Sequence, residues 1–208
     1  MNKENYLDPK LFGQDKYSNS FSKPVAQLHE FYLSGPVLDA EEYIDWFDTI
    51  RNASAVDTIR IYINSPGGDL YTTLQFLRVM SDTEATVVTS VEGACMSAAT
   101  MIFLHGHMQE VTPHSLFMFH NYSAGTFGKG GEMYDQLQFE RKWSENFMRE
   151  VYADFLTEDE IQSMLNNKDI WMDSEEVVKR LTALQKQRDK DARAEAKAKA
   201  DTKAKAKE

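Results

Sequence analysis

Apolar and polar residues alternate strictly over residues 57–64. Ile59, Ile61 and Ile63 point one way, and Arg60, Tyr62 and Asn64 the other, which is the pattern of a strand with one buried face. Ser65-Pro66-Gly67-Gly68 interrupts it, and the period then changes. Leu70, Leu74 and Leu77 are spaced by four and three residues, which predicts a helix over 70–80. Residues 85–91 are mostly β-branched and predict a second strand, closed by Glu92-Gly93. A small, apolar segment over 97–104 predicts the next helix. Two strand–turn–helix units in a row imply parallel strands with crossover helices, an α/β fold.

The flanks add further elements. Phe31-Tyr32-Leu33 before Gly35-Pro36 reads as a short strand ending in a turn. Tyr43, Trp46, Phe47 and Ile50 have helical spacing within residues 39–52. Residues 116–120 predict a short strand, followed by a loop with Gly125, Gly128, Gly130 and Gly131 and by a long helix over about 132–155. Thr157 with Glu160, and Asp173 with Glu176, fit capping boxes that start two further short helices. Residues 1–25 are polar and irregular. From residue 185 the chain is almost entirely Ala, Lys, Glu, Asp and Arg. That tail has helix propensity but no apolar face to dock, so a frayed helix or a disordered extension is expected. One domain is therefore expected over 26–184 of the 208 residues.

Composition narrows the function. The net charge of −10 argues against binding nucleic-acid backbones, which calls for clustered Lys and Arg. With 27% charged residues and no run of about 18 apolar ones, a soluble chain without a membrane span is expected. The first residues do not resemble a secretory signal. Cys95 is the single cysteine, so no internal disulfide framework forms and a reducing, cytoplasmic setting fits.

Candidate chemistry begins at Ser97, placed at a predicted helix start just after a strand and a turn. Free N–H groups there can meet a developing oxyanion. Ser97 can equally be a simple N-cap. The flanking Cys95 and Ala99 depart from Gly-x-Ser-x-Gly, so a standard nucleophile elbow is not expected. Gly67-Gly68 can bring a backbone N–H to a ligand, or simply make a tight turn. His120, at the end of a strand, can accept a proton from Ser97. Asp169, before Ile170-Trp171, can be partly buried and orient a histidine, or be one of 33 acids on an acidic surface. Cys95 reads either as a nucleophile or as a buried small apolar residue. His29, His105, His107 and His114 have no metal-ligand spacing, so no metal is expected.

Taken together, these residues resemble the proteolytic subunit of the Clp protease. The run Ile61-Tyr62-Ile63-Asn64-Ser65-Pro66-Gly67-Gly68 is similar to one of that family's most recognisable segments. Gly93-Ala94-Cys95-Met96-Ser97-Ala98-Ala99-Thr100 stands where the family carries its nucleophile, Pro113-His114-Ser115 leads to the histidine position at His120, and the family's acid falls on Asp169. The resemblance spans roughly residues 30–180. It implies a crotonase-like stack of strand-strand-helix units with a long protruding handle helix. It implies a Ser97–His120–Asp169 triad, oxyanion donors at the Gly68 and Ala98 N–H groups, and no cofactor. It further implies unfolded polypeptide substrates, stacked heptameric rings and an AAA+ unfoldase as partner.

The chain departs from the family pattern at Ala98-Ala99 (Met-Gly in the family), at Cys95-Met96, at Arg60 in a docking groove that is often aromatic, and at Arg180-Leu181-Thr182. Three alternatives therefore stay open: a non-catalytic ring subunit of the same fold, another peptidase on this fold such as a phage head-maturation type, and a crotonase-type acyl-CoA enzyme.

Overall fold

The computed structural model describes residues 25–205, so the polar segment expected over 1–25 lies, except for Val25, outside the described residues. The elements run β1 (Leu28–Ser34), a 3-10 turn (Ala40–Tyr43), α1 (Ile44–Asn52), β2 (Thr58–Ser65), α2 (Leu70–Asp82), β3 (Thr86–Met96), α3 (Ala98–His105), β4 (Met108–Val111), β5 (Leu116–Phe119), α4 (Gly130–Tyr152), α5 (Glu158–Leu165), β6 (Ile170–Asp173) and α6 (Ser174–Lys205). The expected α/β class holds. Six strands form one sheet in the order β1-β2-β3-β5-β6, with β4 also paired to β3. All pairings are parallel except β5 with β6, which is antiparallel.

The alternation read in β2 is what the sheet uses. Ile59, Ile61 and Ile63 are fully buried, and each such side chain contributes about 1.5–3 kcal/mol relative to an exposed one. Phe76 of α2 sits in the same core, with the rings of Phe47 and Tyr43 at 4.8 and 5.0 Å. On the opposite, solvent face Tyr62 stacks on Tyr32, and Arg60 pairs with Glu110. α3 is buried on nearly every side, from Ala98 through Phe103, which explains its uniformly apolar sequence.

Strand β3 corrects the sequence reading. It does not close at Glu92-Gly93 but continues to Met96, for eleven residues. The register with β2 jumps between the pairs Ile63–Val91 and Ser65–Cys95, so Glu92 and Gly93 form a bulge rather than an end. Asn64 bridges the irregularity, its Oδ1 accepting the Ala94 N–H at 3.0 Å. A Cβ on Gly93 would lie 2.7 Å from that same Oδ1, which is why glycine stands there. The length of β3 lets its first part pair with β4 and its last part with β5.

Three strands have only four residues each, and of these β4 and β6 carry no clear period. The helix expected to be short after Asp173 is α6, which runs unbroken for 32 residues through the charged tail. Asp173 does cap it, accepting the Glu176 N–H at 2.9 Å. The capping box at Thr157 and Glu160 opens α5 as predicted.

α5 and α6 are locked together by Arg180. Its guanidinium donates two 2.8 Å bonds to Glu160 and one of 2.8 Å to Glu176. Arg180 therefore holds the Glu160 carboxyl down to about 2 from its ordinary 4.5. A depressed carboxyl stabilises the fold fully above its unfolded value, and this contribution is lost as pH falls from about 4.5 towards 2. Arg180→Met should cost about 1–3 kcal/mol at neutral pH. It should also flatten the decline of Tm across that acid window, which thermal melts at a series of pH values would show.

Candidate active site

Strand β3 delivers Ser97 to the end of the sheet, and α3 begins at the next residue. Ser97 itself turns the chain with φ 55° and ψ −129°, a left-handed conformation that costs a non-glycine residue on the order of 1–3 kcal/mol. The neighbours hold this strain in place. The Ser97 N–H donates to the Met118 carbonyl at 2.8 Å, and the Ser97 carbonyl accepts from the Thr100 N–H at 2.9 Å and its hydroxyl at 2.6 Å. The Thr100 hydroxyl in turn meets the buried Tyr152 hydroxyl at 2.7 Å, tying the turn to the base of α4.

The Ser97 hydroxyl makes no cap bond to its own helix. It lies instead 2.6 Å from Nε2 of His120. The sheet arranges this meeting. Met96 is the register partner of Met118, so Ser97 and His120 lie one and two residues beyond the same rung of parallel strands.

The glycine pair closes the site from the β2 side. Val37 donates to the Gly67 carbonyl at 2.9 Å and accepts from the Asp69 N–H at 2.8 Å. This parallel bridge leaves the Gly68 N–H pointing away from Val37. Gly67, with φ +89°, packs so tightly that a Cβ would fall 2.6 Å from the Met96 carbonyl and from the Ser97 Cβ, and 2.9 Å from the Ala98 nitrogen. The Ala98 N–H is the first of α3 and has no partner one turn back. Gly68 and Ala98 line one cleft with Ser97 and His120. A serine hydroxyl in contact with an imidazole, at a helix start that offers backbone N–H groups, has the chemistry for attack on a carbonyl.

Asp169 stands apart from that contact. The β5–β6 ladder ends at Phe119 with Ile170, and one further antiparallel step would set Asp169 opposite His120. Its side chain is exposed rather than partly buried, and no hydrogen bond or ion pair joins it to His120. Ile170-Trp171 does not bury it because Trp171 itself faces solvent.

A cleft of about 550 Å³ opens on Ser97 and His120. Leu70, Met101, Tyr122, Trp143 and Met148 supply its apolar wall. Cys95 is fully buried, and burial pushes its thiol well above the ordinary range. It is a core residue and not a competing nucleophile.

A family model described as Clp protease matches residues 37–181 of this chain. The chain belongs to the Clp protease family. The matched span holds Gly68, Ser97, Ala98, His120 and Asp169, as well as the helix α4 expected as the handle. The fold accords with the stack of strands and helices anticipated for a Clp protease. Among curated proteins, the ATP-dependent Clp protease proteolytic subunit 1 of Salinibacter ruber (strain DSM 13855 / M31) is 29% identical over 131 residues, 61% of this chain and 55% of the relative. The chain thus spans about half the length of that protein.

In this Clp protease chain the strained strand-to-helix turn exists without the Gly-x-Ser-x-Gly pattern, against the expectation drawn from Cys95 and Ala99. Both of those side chains are fully buried in the core, so small apolar residues are accommodated on either side of the turn. The close approach that glycine permits occurs at Gly67, in another segment. Sequence reasoning also missed Thr100 and Tyr152. The three-residue spacing of Thr100 from Ser97 is a signal for the first, whereas Tyr152 carries none.

Proposed function

We propose that this Clp protease chain is a serine endopeptidase that cleaves unfolded polypeptides. The observation that carries this is the 2.6 Å contact between the Ser97 hydroxyl and His120 at a strained turn flanked by the free Gly68 and Ala98 N–H groups. His120 takes the Ser97 proton, and Oγ attacks the peptide carbonyl. The two N–H groups receive the oxyanion. His120 then passes its proton to the departing amine, and water cleaves the acyl-enzyme by the same route in reverse. Asp169 orients His120 once the β5–β6 register extends by one pair. The apolar cleft holds the side chain next to the scissile bond.

The family and the Salinibacter relative support a chambered assembly of stacked heptameric rings fed by an AAA+ unfoldase. One face of α4 suits a ring-to-ring contact, because Tyr134 and Leu137, one turn apart, are 64% and 44% exposed there. No helix among the described residues is long and apolar enough to cross a membrane.

A fluorophosphonate probe tests the nucleophile. Label should appear on Ser97 by mass spectrometry, vanish in Ser97→Ala and persist in Cys95→Ala. Absence of label from a sample shown to be a complete ring would sink the peptidase reading. A disordered protein such as casein should be cut into short peptides by the same sample.

A further inference from the structure

Asn121, directly after His120, plays no part in the chemistry above. Its side chain nevertheless spans two segments that the reaction needs together. Nδ2 donates to the Leu165 carbonyl and to Oδ1 of Asn167, each at 3.3 Å. Oδ1 accepts the Tyr122 N–H at 2.9 Å. The backbone partners set the amide's orientation: its oxygen faces the Tyr122 N–H and its nitrogen the Leu165 carbonyl, and a flipped amide would mismatch both.

The far side of this tie is itself rigid. The Lys168 N–H bonds the Ser163 carbonyl at 3.1 Å and the Asn167 N–H bonds the Met164 carbonyl at 2.9 Å, with Asn167 left-handed at φ 63°. That is a Schellman ending of α5. It leaves the Leu165 carbonyl among the helix's unpaired acceptors, and Asn121 supplies the missing donor. Asp169 follows two residues after Asn167. The register of β5 and β6 sums so that Asp169 falls opposite His120, just past the last formed pair, Phe119 with Ile170. Residues directly opposite on an antiparallel pair have Cβ atoms about 4.5–5.5 Å apart, within reach of a carboxylate–imidazole bond. Beyond that pair the ladder would be free to splay, and the Asn121 tie crosses it one step further out.

We propose that Asn121 is a positioning residue of this site: its amide caps α5 and ties the His120 segment to the Asp169 segment, so that Asp169 is held where it can orient His120. The proposal rests on the serine-peptidase reading for its catalytic consequence, but the tie itself can be measured without activity.

The experiment uses the full chain in its assembled state, with Asn121→Ala and Asn167→Gly. The second variant keeps the left-handed residue and the helix ending but removes one acceptor. Hydrogen–deuterium exchange in peptides covering residues 116–122 and 165–173 should quicken on the order of tenfold in Asn121→Ala and less in Asn167→Gly. Turnover of a short peptide ester should fall about 10- to 100-fold in kcat for Asn121→Ala, with KM changed less than about twofold. In an Asp169→Ala background the same substitution should have almost no further effect on kcat, since there is no acid left to position. A purely structural asparagine would lower kcat equally in both backgrounds, and that result, or unchanged exchange, overturns the proposal. If exchange quickens but the wild-type assembly neither turns over ester nor labels at Ser97, the tie stands and the peptidase reading falls.

Discussion

His120→Ala should lower kcat for peptide hydrolysis by on the order of 10⁴- to 10⁶-fold, and Ser97→Ala should lower it as far. The two effects do not add. Each removes the same proton transfer, because a hydroxyl without a base is a poor nucleophile at neutral pH and a base without the hydroxyl has nothing to activate. The double variant should therefore sit within a factor of about ten of either single one. On the proposed mechanism, the residual rate should come from the Gly68 and Ala98 N–H groups, which both variants retain. Neither variant should unfold the chain, since the Ser97 hydroxyl and the His120 ring bond chiefly to each other. Circular dichroism and ring assembly should match the wild type. Independent, multiplying losses would show that the 2.6 Å contact is not the working proton path.

Gly68→Ala is the substitution with the largest expected effect on folding and site together. Its φ is +155°, and a Cβ would fall 2.2 Å from the Val37 carbonyl oxygen and 2.7 Å from the Val37 nitrogen. Both are backbone atoms, fixed by the bonds of the Val37 N–H to Gly67 and of the Asp69 N–H to Val37. No flexible side chain can yield, so the bridge must open. The combined overpacking and backbone strain should cost about 3 kcal/mol or more, read from urea denaturation. Opening the bridge also shifts the Gly68 backbone, the oxyanion donor of the proposed mechanism. The chain that remains folded should therefore lose a further factor of about 10²–10³ in kcat, the usual cost of one oxyanion donor. Gly125→Ala is the contrast. A Cβ there meets nothing within 4 Å, so stability should stay within about 0.5 kcal/mol of wild type. Equal behaviour of the two variants would refute the fit of the glycine turn against Val37.

Much of this arrangement could be read along the chain, because the residues concerned carry a local signal. The alternation of Ile59, Ile61 and Ile63 reflects a strand with one face in the core. The spacing of Leu70, Leu74 and Leu77 located α2 but not its inward face, since Leu70 and Leu74 are only partly buried and the core side is formed by Thr72, Thr73, Phe76, Leu77, Val79 and Met80. Thr157 and Glu160 bond each other across one turn, so their spacing announced α5. Ser97 and His120 each follow directly on a strand and Gly68 lies three residues past one, but it was the resemblance to the Clp protease family that singled them out together.

Other features needed the tertiary structure. The Glu92-Gly93 pair has the composition of a turn, and it takes the Asn64 side chain, bonded to Ala94 thirty positions on, together with the pairing of residues 94–96 with β5, to carry β3 through it to Met96. The strain at Ser97 is sustained by Met118, Thr100 and Tyr152, whose partnership depends on how β5 and α4 pack and not on any short motif. Burial of Asp169 was expected from its apolar neighbours, yet Trp171 faces outward on a strand only four residues long, and the carboxylate is exposed. The sequence by itself determined which segments are strands and helices and which side chains have the chemistry, because periodicity and residue type are local properties. The tertiary structure decided that Ser97 meets His120 while Asp169, just past the last β5–β6 pair, stays exposed and unbonded to it, because strand pairing brings together residues whose separation along the chain encodes no distance in space.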